Sequence, residues 1–239
     1  MFADTENKPR TALSTIGHCI DCPAARAGQL RGLIGGCTEQ CAFETFSAEA
    51  RQQLPVERFP PGCLVMVRRG AILRQRQDGT GSPVSVDIVG PGASFVVGGR
   101  NAEEFRSHPC LAIDRSLYCV LGEEHLLDEV RKNPVSAIDL HRIHCEMAYR
   151  LERLSEARGR PNVRSRIAAT LCTLADTLSP YGERRTRLPS ALLQRDIGTL
   201  ASTRHESVCR ILRDFSGENL VQHGPDGIEI LNHNALAAL

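Results

Sequence analysis

The sequence has no tryptophan, only two lysines, and no apolar run approaching the 18 or more residues that mark a bilayer span. Its N-terminus, MFADTENKPR, lacks the apolar stretch of a secretory signal. Transmembrane and secreted placements are therefore excluded, and a cytoplasmic protein without a membrane partner is expected. Charge of one sign is also missing. With 29 basic and 28 acidic residues the net charge is +1, which by itself points to no nucleic acid, membrane surface or acidic substrate. The compositional bias of disordered or collagen-like chains is absent too, since 41% of residues are apolar and 24% charged. A chain of 239 residues is long enough for one large domain or two ordinary ones, and it needs no disulfides to build a core. No internal repeat is present.

What is plentiful is cysteine, ten in all. In a reducing compartment, clustered cysteines point to metal binding or redox chemistry rather than to disulfides. Six of the ten (Cys63, Cys110, Cys119, Cys145, Cys172 and Cys209) stand singly, as small core residues do. The other four, Cys19, Cys22, Cys37 and Cys41, lie together in a glycine-rich stretch with no sustained period. Residues 1–45 are read as a cysteine-rich cap that something else must order.

Strand chemistry fills the next section, after a short helix expected over AEARQQL with Ser47 as its N-cap. CLVMVR, AILRQR, VSVDIV, ASFVV, CLAI and LYCVL are short β-type runs separated by PPG, RRG, QDGTGSP and GPG turns. In Val84-Ser85-Val86-Asp87-Ile88 the alternation predicts one buried and one wet face. Strands at this spacing predict a β-roll or barrel, the sensor domain at 46–125. From Pro134 to Arg158 a heptad reading places Ala137, Leu140, His144, Met147, Leu151 and Leu154 on one seam, which predicts a dimerisation helix within 126–159. His144 on that seam reads as a buried, satisfied histidine. Gly159-Arg160-Pro161 breaks the helix, and Asn162 caps the next one, VRSRIAATLCTLADTL.

The most informative stretch is 190–223. The segment 184–213 holds seven arginines against Asp196 and Glu206, a local charge of +5. Ser190 is expected to cap ALLQRDIGTL, a tight turn follows at Ala201-Ser202, and Thr203 with Glu206 spells the S/T-x-x-E box that opens a second helix. In that helix Val208, Ile211, Leu212 and Phe215 make one apolar stripe, with Glu206, Arg210 and Arg213 opposite and Ser207 and Cys209 on the flanks. Arginine pairs with guanine and glutamate accepts from cytosine, so Arg210 and Glu206 suit the reading of G·C pairs. The competing reading is a surface ion pair between those two residues. A strand, turn and strand over 218–230 adds a wing, giving a winged helix-turn-helix at 160–239.

The segment RDIGTLASTRHESVCRILRDF closely resembles the recognition segment of the CRP/FNR family of bacterial transcription regulators. The resemblance extends over roughly 19–239 and is strongest over 190–231. It implies an α+β fold: an N-terminal β-roll of the cyclic-nucleotide-binding, double-stranded β-helix kind, a long dimerisation helix, and a C-terminal winged helix-turn-helix. It also implies a homodimer on a palindromic operator of double-stranded DNA, RNA polymerase as a further partner, and transcription activation or repression as the outcome. By the resemblance Glu206 and Arg210 match the family's base-reading positions and Ser207 its small hydroxyl residue. The DNA-contacting set expected here is Arg204, His205, Glu206, Ser207, Cys209, Arg210 and Arg213, with phosphate contacts from Arg184, Arg185, Arg187 and Arg195. Arg204 stands where the family usually has Ser or Thr, and Cys209 stands where the FNR branch has serine.

The resemblance brings two effectors into question. Cyclic nucleotide is disfavoured, because Arg106-Ser107 is present but FVVGGRNAEEF offers no Gly-Glu-Leu segment; Glu103 or Glu104 would need a different backbone path. The FNR branch instead carries a 4Fe-4S iron–sulfur cluster on an N-terminal cysteine group plus one distant cysteine, here Cys119. Cys19-x-x-Cys22 supplies one close pair of thiolates. Fourteen residues separate Cys22 from Cys37, wider than in that branch, and there is one cysteine more than a four-ligand site needs. Cys19, Cys22, Cys37 and Cys41 alone would equally suit tetrahedral zinc or a thiol switch. The enzyme alternative, a dithiol oxidoreductase using Cys19 and Cys22, lacks the βαβ setting such motifs occupy, so no enzymatic activity is expected. A purely structural dimerising module is the third alternative; it would bind no DNA at low salt.

Overall fold

The computed structural model describes residues 43–98, 108–179 and 185–239. The strands read from the sequence form two antiparallel sheets. One contains β1 (Glu44–Ala48), β7 (Ser116–Leu121), β2 (Cys63–Arg69) and β5 (Ser94–Val97) in that order; the other contains β4 (Pro83–Val89), β3 (Ile72–Gln77) and β6 (Cys110–Ala112). Between them Val65, Val67, Ile72, Val89, Phe95, Tyr118 and Val120 form a closed apolar core. This is the β-roll.

The helix expected after Ser47 is not there. Ser47 lies in β1, opposite Leu117 of β7. Pairing to β7 buries Ala48 and stacks Phe46 on Tyr118 at a centroid distance of 5.5 Å. Those tertiary gains override a weak local helix preference.

The wet face expected of β4 is also missing. Ser85 and Asp87 are buried, and Val84 and Val86 are half-buried. The outer side of the β3–β4 sheet is covered by the C-terminal domain: Leu73 and Ile88 belong to the same core as Leu171, Leu174, Ile197 and Leu200. At the end of β4, a Cβ on Gly90 would lie 2.0 Å from the Thr177 carbonyl oxygen, so the strand end abuts backbone.

Helix α1 (Glu123–Lys132) stops at Asn133, which precedes Pro134 and is extended (φ −137°, ψ 95°). A residue before proline is pushed out of the helical region, so the chain breaks here before α2 (Val135–Arg158) begins. The side chains of α2 that face its own chain are Ser136, Asp139, Ile143, Arg150, Leu154 and Ala157, with Leu140 and Met147 partly buried. The predicted seam is therefore split. Leu154, Leu140 and Met147 turn inward, whereas Ala137, His144 and Leu151 are exposed together with Ile138 and Tyr149. His144 is not buried; its Nδ1 lies 2.7 Å from the Leu140 carbonyl oxygen one turn back. The heptad recurs because one face packs on the roll, and the outward apolar residues lie beside it.

Helix α3 (Val163–Leu178) is capped as expected. The Asn162 side chain accepts from the Ser165 amide at 2.8 Å, and the Ser165 hydroxyl lies within reach of the Asn162 amide. The remaining elements are β8 (Arg187–Leu188), α4 (Gln194–Leu200), α5 (His205–Gly217), β9 (Val221–Gly224), β10 (Gly227–Ile230) and α6 (His233–Ala237), with the strands ordered β8-β10-β9. No helix among the described residues is long and apolar enough to cross a membrane.

Candidate nucleic-acid interface and sensor site

Helices α4 and α5 form the helix-turn-helix. Ser190 does not cap the first of them. α4 starts at Gln194, where the Asp196 carboxylate accepts from the Leu193 amide at 3.1 Å. The box expected at Thr203 and Glu206 does not form either. Arg204 is the N-cap, and the Thr203 amide donates instead to the Gly198 carbonyl at 2.8 Å. A Cβ on Gly198 would meet the Thr203 carbonyl at 2.9 Å, and Ser202 takes a left-handed φ of 50°. The close approach of these backbones draws Thr203 into the turn, so its hydroxyl is not the helix cap.

The stripe read from the sequence is the buried one: Val208, Ile211, Leu212 and Phe215 are at most 5% exposed. Opposite it Arg204, His205, Glu206, Arg210 and Arg213 are exposed, with Ser207 and Cys209 intermediate. Glu206 leans toward the ring of His205, Oε1 to Nδ1 3.6 Å, and not toward Arg210. Among the described residues Arg210 forms no ion pair, so the surface-pair reading of Glu206 and Arg210 does not hold here. Its guanidinium is presented outward on the helix that would enter a major groove.

Sequence reasoning missed Gln194. Its side-chain oxygen accepts from the Cys209 thiol, and its amide nitrogen lies 3.0 Å from Nε2 of His223 on β9. One glutamine thus ties the start of α4 to the recognition helix and to the wing. Only the spatial meeting of residues fifteen and twenty-nine positions apart reveals it. Of the proposed phosphate contacts, Arg195 is exposed; Arg187 is paired with Glu229 at 2.6 Å and Arg185 with Asp114 at 3.3 Å. The Glu229 carboxylate raises the Arg187 pKa. Arg184 lies outside the described residues.

The sensor residues divide in the same way. Cys19, Cys22, Cys37 and Cys41 lie outside the described residues, as do Glu103, Glu104, Arg106 and Ser107. Cys119 is described: it is buried in β7, opposite Thr45 and Met66, with its sulfur 3.6 Å from the Thr45 hydroxyl. It sits on the outer face of the four-stranded sheet with Phe43, Leu64, Met66, Leu121 and Ile143, where Leu140 and Met147 of α2 also pack. Among the described residues no group of three His, Cys, Asp or Glu side chains is placed to hold a metal.

A β-roll, a long helix and a winged helix-turn-helix follow one another in this order. Residues 165–239 match the family described as Crp-like helix-turn-helix domain. A comparison with curated protein sequences gave no match. Solved structures give the same fold. FixK2 from Bradyrhizobium japonicum is 20% identical with a TM-score of 0.66, the alignment covering 82% of this chain and 96% of that one. A CRP-family transcriptional regulator from Thermus thermophilus is 18% identical with a TM-score of 0.63, covering 81% and 96%. A CooA variant from Carboxydothermus hydrogenoformans is 12% identical with a TM-score of 0.62, covering 87% and 94%. At these identities the likenesses speak to fold alone. Residues 165–239 thus carry a Crp-like helix-turn-helix domain, and the chain shares its fold with the solved structures above.

Proposed function

We propose that this protein is a CRP/FNR-type transcription regulator that works as a homodimer, reading two half-sites of duplex DNA with α5 under the control of an iron–sulfur cluster held by its N-terminal cysteines. The carrying observation is the division of α5: its apolar stripe is sealed in the domain core while Glu206, Arg210 and Arg213 face outward. Dimerisation is supported by Ile138, Tyr149 and Leu151 on α2, which are 50%, 56% and 42% exposed. Those side chains are costly to leave in water on a helix already anchored by its opposite face. In a dimer on DNA the two copies of α5 would lie one helical turn apart, about 34 Å. RNA polymerase is the partner expected at promoters.

For the sensor, Cys119 is the described residue that fits a cluster ligand. Its thiol lies in the layer between sheet and long helix, and Phe43, two residues beyond Cys41, joins that same layer. Cys19, Cys22 and either Cys37 or Cys41 would complete the set. A cubane cluster supplies redox-active iron whose potential depends on its surroundings. This chain's own contribution is position: Cys119 touches the cluster of side chains that includes Ile143, Leu140 and Met147 of α2, so a change at the thiol alters how α2 packs. Oxygen, nitric oxide or redox state is the signal class this suits.

Anaerobic purification with a visible spectrum and iron, sulfide and zinc analysis tests the sensor. The expected protein is brown, bleached by air, with about four iron and four sulfide per chain. Cys19→Ser, Cys22→Ser and Cys119→Ser each abolish the colour. A colourless protein with about one zinc overturns the cluster in favour of a structural or thiol-switch site. A colourless, metal-free protein overturns both and leaves the DNA-binding dimer standing.

A further inference from the structure

Helix α4 is gripped along its length by the sensor domain of the same chain. Near its start, the Arg51 guanidinium lies 2.8 Å from the Asp196 carboxylate, which is 2% exposed, and donates to the Ala191 carbonyl at 3.3 Å. In its middle, the Thr199 hydroxyl accepts from the Ser85 amide of β4 at 3.1 Å. At its end, Arg158 of α2 donates from Nε to the Leu200 carbonyl at 2.9 Å and from Nη2 to the Val86 carbonyl of β4 at 3.3 Å. Ile197 and Leu200 share a core with Leu73 and Ile88. Arg51 itself sits at φ 67°, a left-handed backbone that an arginine adopts only when its surroundings hold it there. Its amide is fixed on the Ala112 carbonyl at 2.6 Å, so the side chain is aimed by β6.

None of these contacts covers the reading face of α5, whose Glu206, Arg210 and Arg213 stay exposed. The grip is therefore not an occluding lock. The covalent connection between α2 and α3 is the short segment 159–162, so the attitude of the helix-turn-helix is set by non-covalent contacts: those of α4, the abutment of Gly90 on Thr177 of α3, and the Arg185–Asp114 pair.

We propose that Arg51, Ser85, Thr199 and Arg158 form a clamp that fixes each reading head on its own sensor and thereby sets the half-site spacing the dimer accepts. The proposal rests on the dimeric DNA-reading function above. Two linked binding modules gain affinity only where geometry lets both engage at once. A clamped pair should engage one spacing; a pair whose heads are held by the apolar core alone should rock on that core and accept a wider range. Arg51 and Thr199 are thus positioning residues that touch no DNA.

The test uses a duplex selected from a random-sequence library by the full-length protein. Derivatives have the half-sites moved by two base pairs in either direction, or one half-site scrambled. A two-base-pair shift turns a half-site by roughly 70° about the DNA axis. The wild type should lose about tenfold or more in affinity on either shifted duplex, while Arg51→Ala/Thr199→Val should lose no more than about threefold. Affinity for the single half-site should stay within about twofold of wild type, and Arg51→Lys should recover much of the spacing preference. Thermal unfolding in the same buffer checks that the variants fold; if the double variant does not, Thr199→Val alone carries the same prediction at smaller amplitude. A variant that folds and keeps the wild-type spacing profile overturns the clamp but leaves the regulator intact. Equal loss on single and paired half-sites overturns it as well. A wild type that binds no duplex, or binds without any spacing preference, overturns the regulator reading and the clamp together.

Discussion

Arg210 and Glu206 stand one helical turn apart without pairing, because Glu206 is turned toward His205. That leaves a fork of arginine donors pointing away from the protein, the arrangement suited to a guanine edge. Both residues and their outward face could be read from the 3.6-residue period of α5. Gln194 could not, since its partners Cys209 and His223 meet it only in space. Another residue-scale property hidden from sequence is the state of Cys110. Burial pushes its thiol up to about 12 from the ordinary 9.0, and the same cause raises Tyr118. Between those two values the unfolded chain has released the thiol proton that the folded chain keeps, so stability falls as pH rises through this window. Urea unfolding from about pH 8 to about pH 11 should show a falling midpoint, less steep in Cys110→Ala. A flat or rising profile would contradict the burial of these groups.

Elements with a strong local period were legible, and those decided by their neighbours were not. Six of the roll's seven strands, the cap on α3 and the stripe of α5 follow from β-type runs between turn residues, from Asn162 at the helix start and from spacing at i, i+3, i+4 and i+7. β1 was hidden because its polar, mixed sequence becomes a strand only against β7. The heptads of α2 were visible, but not which way they face. Arg150 explains the inward turn: it donates from Nε and Nη2 to the two oxygens of Asp87, at 2.9 and 3.0 Å, and to the Ser94 carbonyl at 3.0 Å. Arg74 adds a further bond to Asp87 at 3.2 Å. A buried carboxylate held by two guanidiniums anchors the middle of α2 to the roll. The fit of β4 against α3 is equally close. Gly90→Ala would place a methyl group into the Thr177 carbonyl and should destabilise by about 1–3 kcal/mol, read by urea unfolding. An unchanged midpoint would mean that the two elements separate freely.

At the scale of the whole molecule, the order of β-roll, long helix and winged helix-turn-helix was legible, whereas the docking of the C-terminal domain on the roll was not. Alternation in β4 suggested a wet face because sequence cannot say that another domain covers it. The apolar core shared by Leu73, Ile88, Ile197 and Leu200 makes the two parts move together, so a change in the roll reaches α4 without passing through α2 alone. In the proposed dimer two such assemblies would share one duplex and multiply their phosphate contacts, with Arg195 and the exposed arginines of α5 as the cations available for them.

The most direct test of this account is quantitative binding of the selected duplex and of a scrambled duplex by wild type and Arg210→Ala, across a salt series. The wild type should prefer the selected duplex, and its log affinity should fall linearly with log salt by about 0.9 for each phosphate neutralised. Arg210→Ala should lose about 1–3 kcal/mol on the selected duplex, with its discrimination relaxed at one base pair. Binding of both duplexes by both proteins with one unchanged ratio would contradict the assignment of α5 as the element that reads DNA.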